Sequence, residues 1–200
     1  MRKGKMSDKA VYLKIKRAAD VVLGSVVLVA GLPLWPIIAA LVRLDSPGPV
    51  FYAQDRVGKD GRIFRLVKFR SMIEKAETNG ALWAHVNDKR ITGVGRVLRR
   101  LHLDELPQLL NVIRGDMSLV GPRPERPEFM GELERAIPGY GRRHAVKPGL
   151  TGWAQVSYMY ASSLESSRVK LGYDIYYVDN MGIALDFEIL LKTVRVIGKE

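Results

Sequence analysis

Residues 21–42 read VVLGSVVLVAGLPLWPIIAALV, a run of 22 residues without a charge. A helix that crosses the hydrocarbon core of a bilayer needs about 20 apolar residues, so this run is long enough to be embedded in a membrane. The run has no polar face, which argues against an amphipathic helix that covers a soluble core. It is also too long for the apolar part of a signal peptide. The sequence therefore predicts a membrane-embedded helix near the N-terminus.

Two prolines near the middle of this run predict a bend. Pro33 and Pro36 each lack a backbone N–H, and each ring clashes with the preceding helical turn. Both flanks are basic, with seven Lys and Arg residues in residues 1–17 and further ones from Arg43 onward. Lys and Arg beside a membrane segment favour the cytoplasmic side. A straight span satisfies that preference at one end only. We favour a re-entrant helix, which enters and leaves through the cytoplasmic leaflet.

The chain as a whole has the composition of a folded protein. Of the 200 residues, 47% are hydrophobic and 26% are charged, and there is no Cys, which excludes disulfide scaffolds, thiolate metal sites and cysteine nucleophiles. The net charge of +11 attracts polyanions such as nucleic acid, anionic lipid headgroups and phosphorylated small molecules. We predict two parts: a basic N-terminus with the re-entrant helix in residues 1–44, and a compact cytosolic domain in residues 45–200.

Local patterns in the second part favour an α+β fold that is mostly helical. Residues 50–72 alternate around turn signals at Gly58 and Asp60-Gly61, which predicts a small β-hairpin. Residues 93–114 follow a helical pattern that Gly115 ends. The segment PGLTGWAQV (148–156) reads as a loop that leads into a short extended piece. Residues 162–178 and 183–197 read as amphipathic helices, and the last one is apolar enough either to lie on a membrane surface or to pack on the core.

Two adjacent acids stand out in the segment RRLHLDELPQLLNVIRGDMSLVGPRP (99–124). Asp104 and Glu105 interrupt an apolar stretch, and Asp104 is a good N-cap for a helix from residue 105 to residue 114. A carboxylate at a helix N-terminus stays ionised, and an ionised, positioned Asp is a competent nucleophile toward phosphorus. The same helix end favours a bound phosphate.

Cations near these acids are compatible with a phosphoryl-transfer site. Arg99 precedes Asp104 by five residues, and Arg123 lies between Pro122 and Pro124, which hold it stiffly. Arg binds phosphate through two parallel hydrogen bonds. Phosphoryl transfer needs positioning and neutralisation of negative charge, often with Mg²⁺. A surface ion pair would give the same residues, so the pattern alone is a weak signal. The sequence has no P-loop and no D-x-D motif, and its three His residues lack zinc spacing.

Five segments strengthen this interpretation: KRAAD (16–20), VKFRSM (67–72), LDELPQLLNVIRGDMSLVGPRP (103–124), KPGLTGWAQV (147–156) and YDIYYVDN (173–180). Together with Pro33, the residues and the order of these segments resemble the bacterial sugar transferase family, the monotopic phosphoglycosyl transferases that begin lipid-linked glycan assembly. The resemblance runs from about residue 16 to the C-terminus. The chain is similar to the minimal form of the family, since larger members carry extra membrane spans and an added domain before this core. His102 stands where small polar residues are common in the family.

The resemblance implies a two-step reaction on the cytoplasmic face of a bacterial inner membrane. Asp104 would attack the sugar-bearing phosphate of a UDP-sugar, release UMP and keep the phosphosugar, which polyprenyl (undecaprenyl) phosphate would then accept. Glu105 would assist as a metal ligand or as an acid/base, and Mg²⁺ would be the cofactor, held by Asp104 and Glu105. The resemblance also implies a substrate-binding set: Lys68, Arg99, Arg123 and, in the shell that supports the site, Asp174.

Two other classes of protein remain as alternatives. The charge of +11 is compatible with a membrane-tethered nucleic-acid-binding module, but no nucleic-acid-binding motif is present and the basic residues are dispersed among acids. A non-catalytic membrane scaffold would leave Asp104 and Glu105 without a purpose. We therefore expect no nucleic-acid partner. The sequence does not specify the sugar, the glycan pathway or the oligomeric state.

Overall fold

The computed structural model describes residues 2–74, 76, 80, 83, 88–158 and 163–196, except for the side chains of residues 2–8. Within these residues the fold is mostly helical with one small antiparallel hairpin, as the sequence predicts. The helices are α1 (Arg2–Gly31), α2 (Leu34–Asp45), α3 (Gly93–Arg100), α4 (Leu109–Arg114), α5 (Pro127–Ala136), α6 (Trp153–Ser157), α7 (Leu164–Asn180) and α8 (Ile183–Val196). The strands are β1 (Phe51–Val57), β2 (Ile63–Phe69), β3 (Ser118–Val120) and β4 (Gly149–Thr151).

The predicted bend in the apolar run is present at its first proline. Pro33 separates α1 from α2, and the pair is bent by 62°. Pro36 lies in the first turn of α2, where its missing N–H breaks no helical hydrogen bond. Among the described residues, neither helix alone is long and apolar enough to cross a membrane, whereas Lys9–Gly31 and Leu34–Asp45 together meet that test by length and composition. Many apolar side chains of the pair point outward, including Val22, Val26 and Ile37.

Two charged residues of α1 join this helix to the rest of the molecule. The Arg17 guanidinium donates 2.6 Å hydrogen bonds to the backbone oxygens of Val112 and Ile113 at the C-terminal end of α4. The buried Asp20 carboxylate accepts from the Ser118 hydroxyl and the Leu119 amide at the start of β3. Both residues belong to the KRAAD segment. The predicted boundary between residues 44 and 45 stays a prediction.

A second connection links α1 to the C-terminal helix. Lys16 Nζ and the Tyr12 hydroxyl both donate to Oδ2 of Asp186, at 2.8 and 2.9 Å. The Tyr177 hydroxyl of α7 donates to the other oxygen of the same carboxylate. Asp186 therefore ties together α1, α7 and α8.

The predicted hairpin is formed by β1 and β2, whose register runs from Phe51 opposite Phe69 to Val57 opposite Ile63. The turn is placed where Asp60 and Gly61 predict it, and both have positive φ angles of 55° and 76°. Phe51 and Phe69 stack at 5.1 Å, and Trp35 of α2 packs on both rings. This aromatic group attaches the open end of the hairpin to the bent helix pair.

The continuous helix predicted for residues 93–114 is broken in the structure. Helix α3 ends at Arg100, His102 adopts a left-handed φ of 54°, and a 3₁₀ helix spans Leu103–Gln108 before α4 begins. Asp104 lies inside this 3₁₀ helix, so the predicted N-cap role is wrong. Pro107 explains the break, because proline disfavours α conformation in the residue before it and removes one backbone donor. Gly115 ends α4 in a left-handed conformation, as predicted.

Strands β3 and β4 form a short parallel pair that the sequence does not reveal. Ser118 lies opposite Gly149, and Val120 lies opposite Thr151. A Cβ atom on Gly121 would collide with the backbone of residues 147–149, so the two chains can approach only because a glycine stands there. Arg123 follows β3 in the chain. The pairing of β3 with β4 therefore holds the start of the Arg123 segment next to the loop that precedes β4.

The C-terminal region contains three helices. The short extended piece predicted in PGLTGWAQV is present as β4 at Gly149–Thr151, whereas the end of that segment forms the helix α6. The two predicted helices are confirmed as α7 and α8, and α8 is amphipathic. On α8, Ile189 is fully buried in the core. The opposite face exposes a stripe of large apolar side chains: Ile183, Phe187, Leu191 and Val194. Helix α8 therefore packs on the core and also presents an apolar surface.

Candidate active site

The two adjacent acids lie on the 3₁₀ helix but have different surroundings. Glu105 accepts hydrogen bonds from both terminal nitrogens of Arg123, at 2.5 and 3.5 Å. Asp104 is 5% exposed. Within the part of the chain that the structure describes, no hydrogen bond or ion pair reaches the Asp104 carboxylate. One acid is therefore neutralised by a guanidinium, and its neighbour keeps both oxygens available.

Three cations predicted to bind phosphate surround Asp104, each from a different element. Lys68 is on β2, Arg99 is in the last turn of α3, and Arg123 follows β3. Arg99 Nε donates to the Ser71 hydroxyl at 2.8 Å, and Lys68 Nζ lies 5.5 Å from the centre of the Tyr52 ring. All three cations act electrostatically on Asp104. The structure thus brings together residues that lie far apart in the sequence.

The pKa values reflect these charges. Burial and the neighbouring Glu105 raise the pKa of Asp104, while the three cations oppose that rise. For Glu105, burial works against ionisation, but the charge and hydrogen bonds of Arg123 outweigh it and lower the pKa. Burial and the nearby Arg99 lower the pKa of Lys68 to about 8. A Lys with a lowered pKa among other cations is the environment expected where an anion binds.

The fourth predicted substrate-binding residue, Asp174, lies behind the site rather than beside the acids. Asp174 and Arg143 are each 1% exposed and form an ion pair at 2.7 Å. The Arg143 guanidinium also donates to the backbone oxygen of Arg123 at 2.8 Å and to Glu125 Oε1 at 3.0 Å. Lys170 bonds to the same Glu125 oxygen. This buried network holds the backbone that carries Arg123.

Sequence reasoning missed Arg143 and Arg56. Arg56 of β1 donates to the backbone oxygen of Pro124 at 2.9 Å and so supports the Arg123 segment from the other side. Arg143 sits beside Arg142, whose side chain is 63% exposed. Nothing in the local sequence separates these two neighbours, because only the packing of α7 decides which of them is buried.

The carboxylates present fit a metal ion that is held mainly by a substrate. No group of three or more His, Asp or Glu residues gathers around one point within the described ranges. Mg²⁺ commonly takes one or two protein carboxylates and completes its shell with phosphate oxygens and water. Asp104 and Glu105 can supply such a pair. His102 and His144 belong to no such cluster, and His85 lies outside the described residues.

Comparison with known proteins identifies the family. The model of the bacterial sugar transferase family matches residues 11–200, so the chain belongs to that family. It is 45% identical over 194 residues to UDP-N-acetylgalactosamine-undecaprenyl-phosphate N-acetylgalactosaminephosphotransferase of Aeromonas hydrophila. This match covers 97% of this chain and 46% of that protein. It is 41% identical over 182 residues to UDP-glucose:undecaprenyl-phosphate glucose-1-phosphate transferase of Escherichia coli strain K12. This match covers 90% of this chain and 39% of that protein.

A shorter relative gives a similar result. The chain is 48% identical over 139 residues to a putative undecaprenyl-phosphate N-acetylgalactosaminyl 1-phosphate transferase of Bacillus subtilis strain 168, covering 69% of this chain and 78% of that protein. The chain therefore spans most of this relative, but less than half the length of the Aeromonas and Escherichia proteins. The likeness to those two proteins is confined to the part of each that the chain matches.

The lowered pKa of Lys68 predicts a pH dependence of anion binding. Above pH 8 the free protein loses the Lys68 charge, so the affinity for inorganic diphosphate should fall as pH rises through about 8. Lys68→Arg should keep its charge through pH 10 and remove this fall. The affinities of both proteins are measured by calorimetry at each pH. Because the ionisation of diphosphate itself affects both proteins equally, the difference between them reports the Lys68 charge. Parallel pH profiles for the two proteins would show that Lys68 does not contact the anion.

The buried network predicts that Arg143 acts through Arg123. Arg143→Lys keeps the charge but cannot bridge Asp174, Glu125 and the Arg123 backbone at once, so it should weaken diphosphate binding about fivefold, roughly 1 kcal/mol. In an Arg123→Ala background the same change should have almost no effect on binding. Arg142→Lys is the matched exposed control, and the melting temperature of each variant reports stability. Equal losses in both backgrounds would contradict the coupling.

Proposed function

We propose that this protein transfers a sugar 1-phosphate from a UDP-sugar to polyprenyl phosphate, with Asp104 as the nucleophile. The observation that carries the proposal is the buried Asp104 carboxylate, which has no hydrogen-bond or ion-pair partner among the described residues and lies amid three cations. The relatives named above, whose names describe undecaprenyl-phosphate sugar-phosphate transferases, support the same reaction class and acceptor.

In the first step an oxygen of Asp104 attacks the sugar-bearing phosphorus of the donor. The new bond joins this oxygen to phosphorus, and the bond from phosphorus to the bridging oxygen breaks. UMP leaves with that electron pair, and the sugar phosphate stays on Asp104 as an acyl phosphodiester. In the second step a phosphate oxygen of the polyprenyl acceptor attacks the same phosphorus. The bond to Asp104 breaks and the free carboxylate returns.

The surrounding cations have distinct tasks in this mechanism. Lys68, Arg99 and Arg123 neutralise the negative charge on the phosphates, which otherwise repels the Asp104 carboxylate. The leaving UMP oxygen belongs to a phosphate and needs no proton donor. Glu105 is held ionised by Arg123, so it suits metal binding better than proton donation. Asp104 and Glu105 would together hold Mg²⁺, which supplies further neutralisation of the diphosphate.

The bent helix pair would place this site on the cytoplasmic face of the bacterial inner membrane. Outward-facing apolar side chains on α1 and α2 suit a lipid environment, and basic residues on both flanks favour a re-entrant path. Leu106, two residues after Asp104, lies beside Gly31 at the bend. The acceptor phosphate would then meet Asp104 at the membrane surface, where a cytosolic UDP-sugar also has access.

A membrane-tethered nucleic-acid-binding protein and a non-catalytic scaffold remain the alternatives. Both predict that the purified chain releases no UMP from any UDP-sugar, with or without polyprenyl phosphate. A panel of UDP-sugars in that assay also identifies the sugar.

The covalent step makes a direct prediction for Asp104. Asp104→Asn should reduce transfer by at least a thousandfold, because an amide is a very poor nucleophile toward phosphorus. Incubation of the unmodified protein with donor alone should release UMP and add one phosphosugar mass to the peptide that contains Asp104. Both are measured by mass spectrometry and a UMP assay.

Asp60→Asn is the matched control for this substitution, since Asp60 is an exposed acid at the turn of the hairpin. It should react as the unmodified protein does. If Asp104→Asn retains normal transfer, or if the phosphosugar appears on another peptide, Asp104 is not the nucleophile.

The re-entrant topology predicts that both ends of the helix pair face the cytosol. The chain has no Cys, so single cysteines at the exposed positions Ala10 and Pro49 can be labelled without background. Both should react in inside-out vesicles, and neither should react with an impermeant maleimide added to intact spheroplasts. Replacement of Pro33 and Pro36 by Ala should straighten the helix and expose some of position 10 to the outside. Outside labelling of position 10 with both prolines present would instead indicate a span.

A further inference from the structure

A polar cavity of about 390 Å³ lies between β1 and the start of α5. Its lining includes Tyr52, Gln54 and Asp55 of β1, Arg126 and Glu128 at the start of α5, and also Arg65 of β2 and Gly80. Its volume falls within the range of small-molecule sites, about 300–1,000 Å³. None of the six predicted site residues lines it, so the cavity is a place distinct from the acids and the phosphate-binding cations.

The wall of the cavity continues directly into the cation cluster. The Tyr52 ring is the one that lies against Lys68, with Nζ 5.5 Å from its centre. Gln54 Oε1 accepts from Arg56 at 2.7 Å, and Arg56 also bonds to the backbone of Pro124, next to Arg123. A molecule whose phosphates occupy the cations therefore has its next atoms at the mouth of this cavity.

The charges in the cavity suit an uncharged, hydrogen-bonding group rather than another phosphate. Two acids, Asp55 and Glu128, balance two cations, Arg65 and Arg126, and Gln54 adds an amide. The Arg126 guanidinium donates to one oxygen of Glu128 at 3.3 Å, so the other Glu128 oxygen is the acceptor that a ligand would use. A uracil ring offers one N–H and two carbonyls, and a ribose offers two hydroxyls. Carboxylates accept from N–H and hydroxyl groups, whereas Arg and amide groups donate to carbonyls. The half-exposed ring of Tyr52 also offers an apolar face to a planar base.

The geometry of phosphoryl transfer decides which half of the donor reaches the cavity. The attacking and leaving oxygens lie roughly in line on opposite sides of phosphorus. UMP must therefore extend away from Asp104. Tyr52 and Gln54, which line the cavity, contact Lys68 and Arg56, so a UMP group that extends away from Asp104 along these two cations reaches the cavity.

We propose that the cavity between β1 and α5 binds the nucleoside half of the donor, and that Asp55 and Glu128 accept hydrogen bonds from it. The assignment rests on the proposed function. It makes these residues determinants of nucleotide specificity, separate from those that bind the diphosphate.

The test is equilibrium binding of three ligands to the full chain in detergent: UMP, inorganic diphosphate and glucose 1-phosphate. The variant is the double substitution Asp55→Asn and Glu128→Gln, which keeps the size of both side chains. Removal of two negative charges should by itself tighten the binding of every anion. Each amide keeps only one acceptor oxygen and replaces the other with an NH2 donor, which should weaken UMP alone, by at least tenfold. The sign of the change therefore separates hydrogen bonding from general electrostatics.

Asp60→Asn is again the control, since Asp60 is exposed on the same hairpin and Asn tolerates its left-handed conformation. Undiminished diphosphate binding by the double variant shows that it is folded. Unchanged or tighter UMP binding overturns the assignment. Weaker glucose 1-phosphate binding with unchanged UMP binding also overturns it, because the cavity would then hold the sugar half.

The failure of the assignment is distinguishable from the failure of the proposed function. If the unmodified protein releases UMP from a UDP-sugar while the double variant binds UMP normally, the cavity assignment is wrong and the function stands. If the unmodified protein releases no UMP from any UDP-sugar, the proposed function is wrong, and the assignment falls with it.

Discussion

The hydrogen bonds that Arg17 and Asp20 make across the molecule decide how the bent helix pair stands against the rest of the fold. Arg17 bonds to carbonyls at the C-terminal end of α4, where a positive charge is favourable. Asp20 is a buried carboxylate whose Oδ1 accepts from a hydroxyl and an amide of β3. The 3₁₀ helix with Asp104 directly precedes α4, and the Arg123 segment directly follows β3. One short piece of α1 thereby positions both halves of the site relative to the bend.

The site separates two adjacent carboxylates by their surroundings. Glu105 is matched by a guanidinium, and its pKa is lowered. Asp104 is surrounded by cations that do not bond to it, and burial raises its pKa. Desolvation of an ion costs several kcal/mol, so an unpaired buried carboxylate is expensive for folding. We interpret this cost as a functional one, because a carboxylate already bound by Arg would be a poor nucleophile.

The site is supported by buried ions that lie behind it. The carboxylates of Asp174 and Glu125 hold the Arg143 guanidinium, which in turn holds the backbone of Arg123. Buried ion pairs often contribute little to stability. A rigid mount for Arg123 is a different benefit if the proposed function is right, because small displacements of a positioned cation weaken charge stabilisation strongly.

The sequence by itself determined the local features: the apolar run with its bend at Pro33, the hairpin turn at Asp60 and Gly61, and the helices α7 and α8. Local patterns also provided Asp104, Glu105, Arg99 and Arg123 as candidates, whereas Lys68 and Asp174 came only from the resemblance to the family. Only the tertiary structure decided that Asp104 lies inside a 3₁₀ helix and that β3 pairs with β4. Strands of three residues are too short to show a period. The same holds for Arg143 against Arg142, and for Arg17 and Asp20, whose partners lie 95 to 99 residues away. Contacts over such separations leave no local signature, because each partner is an ordinary polar residue until packing brings the two together.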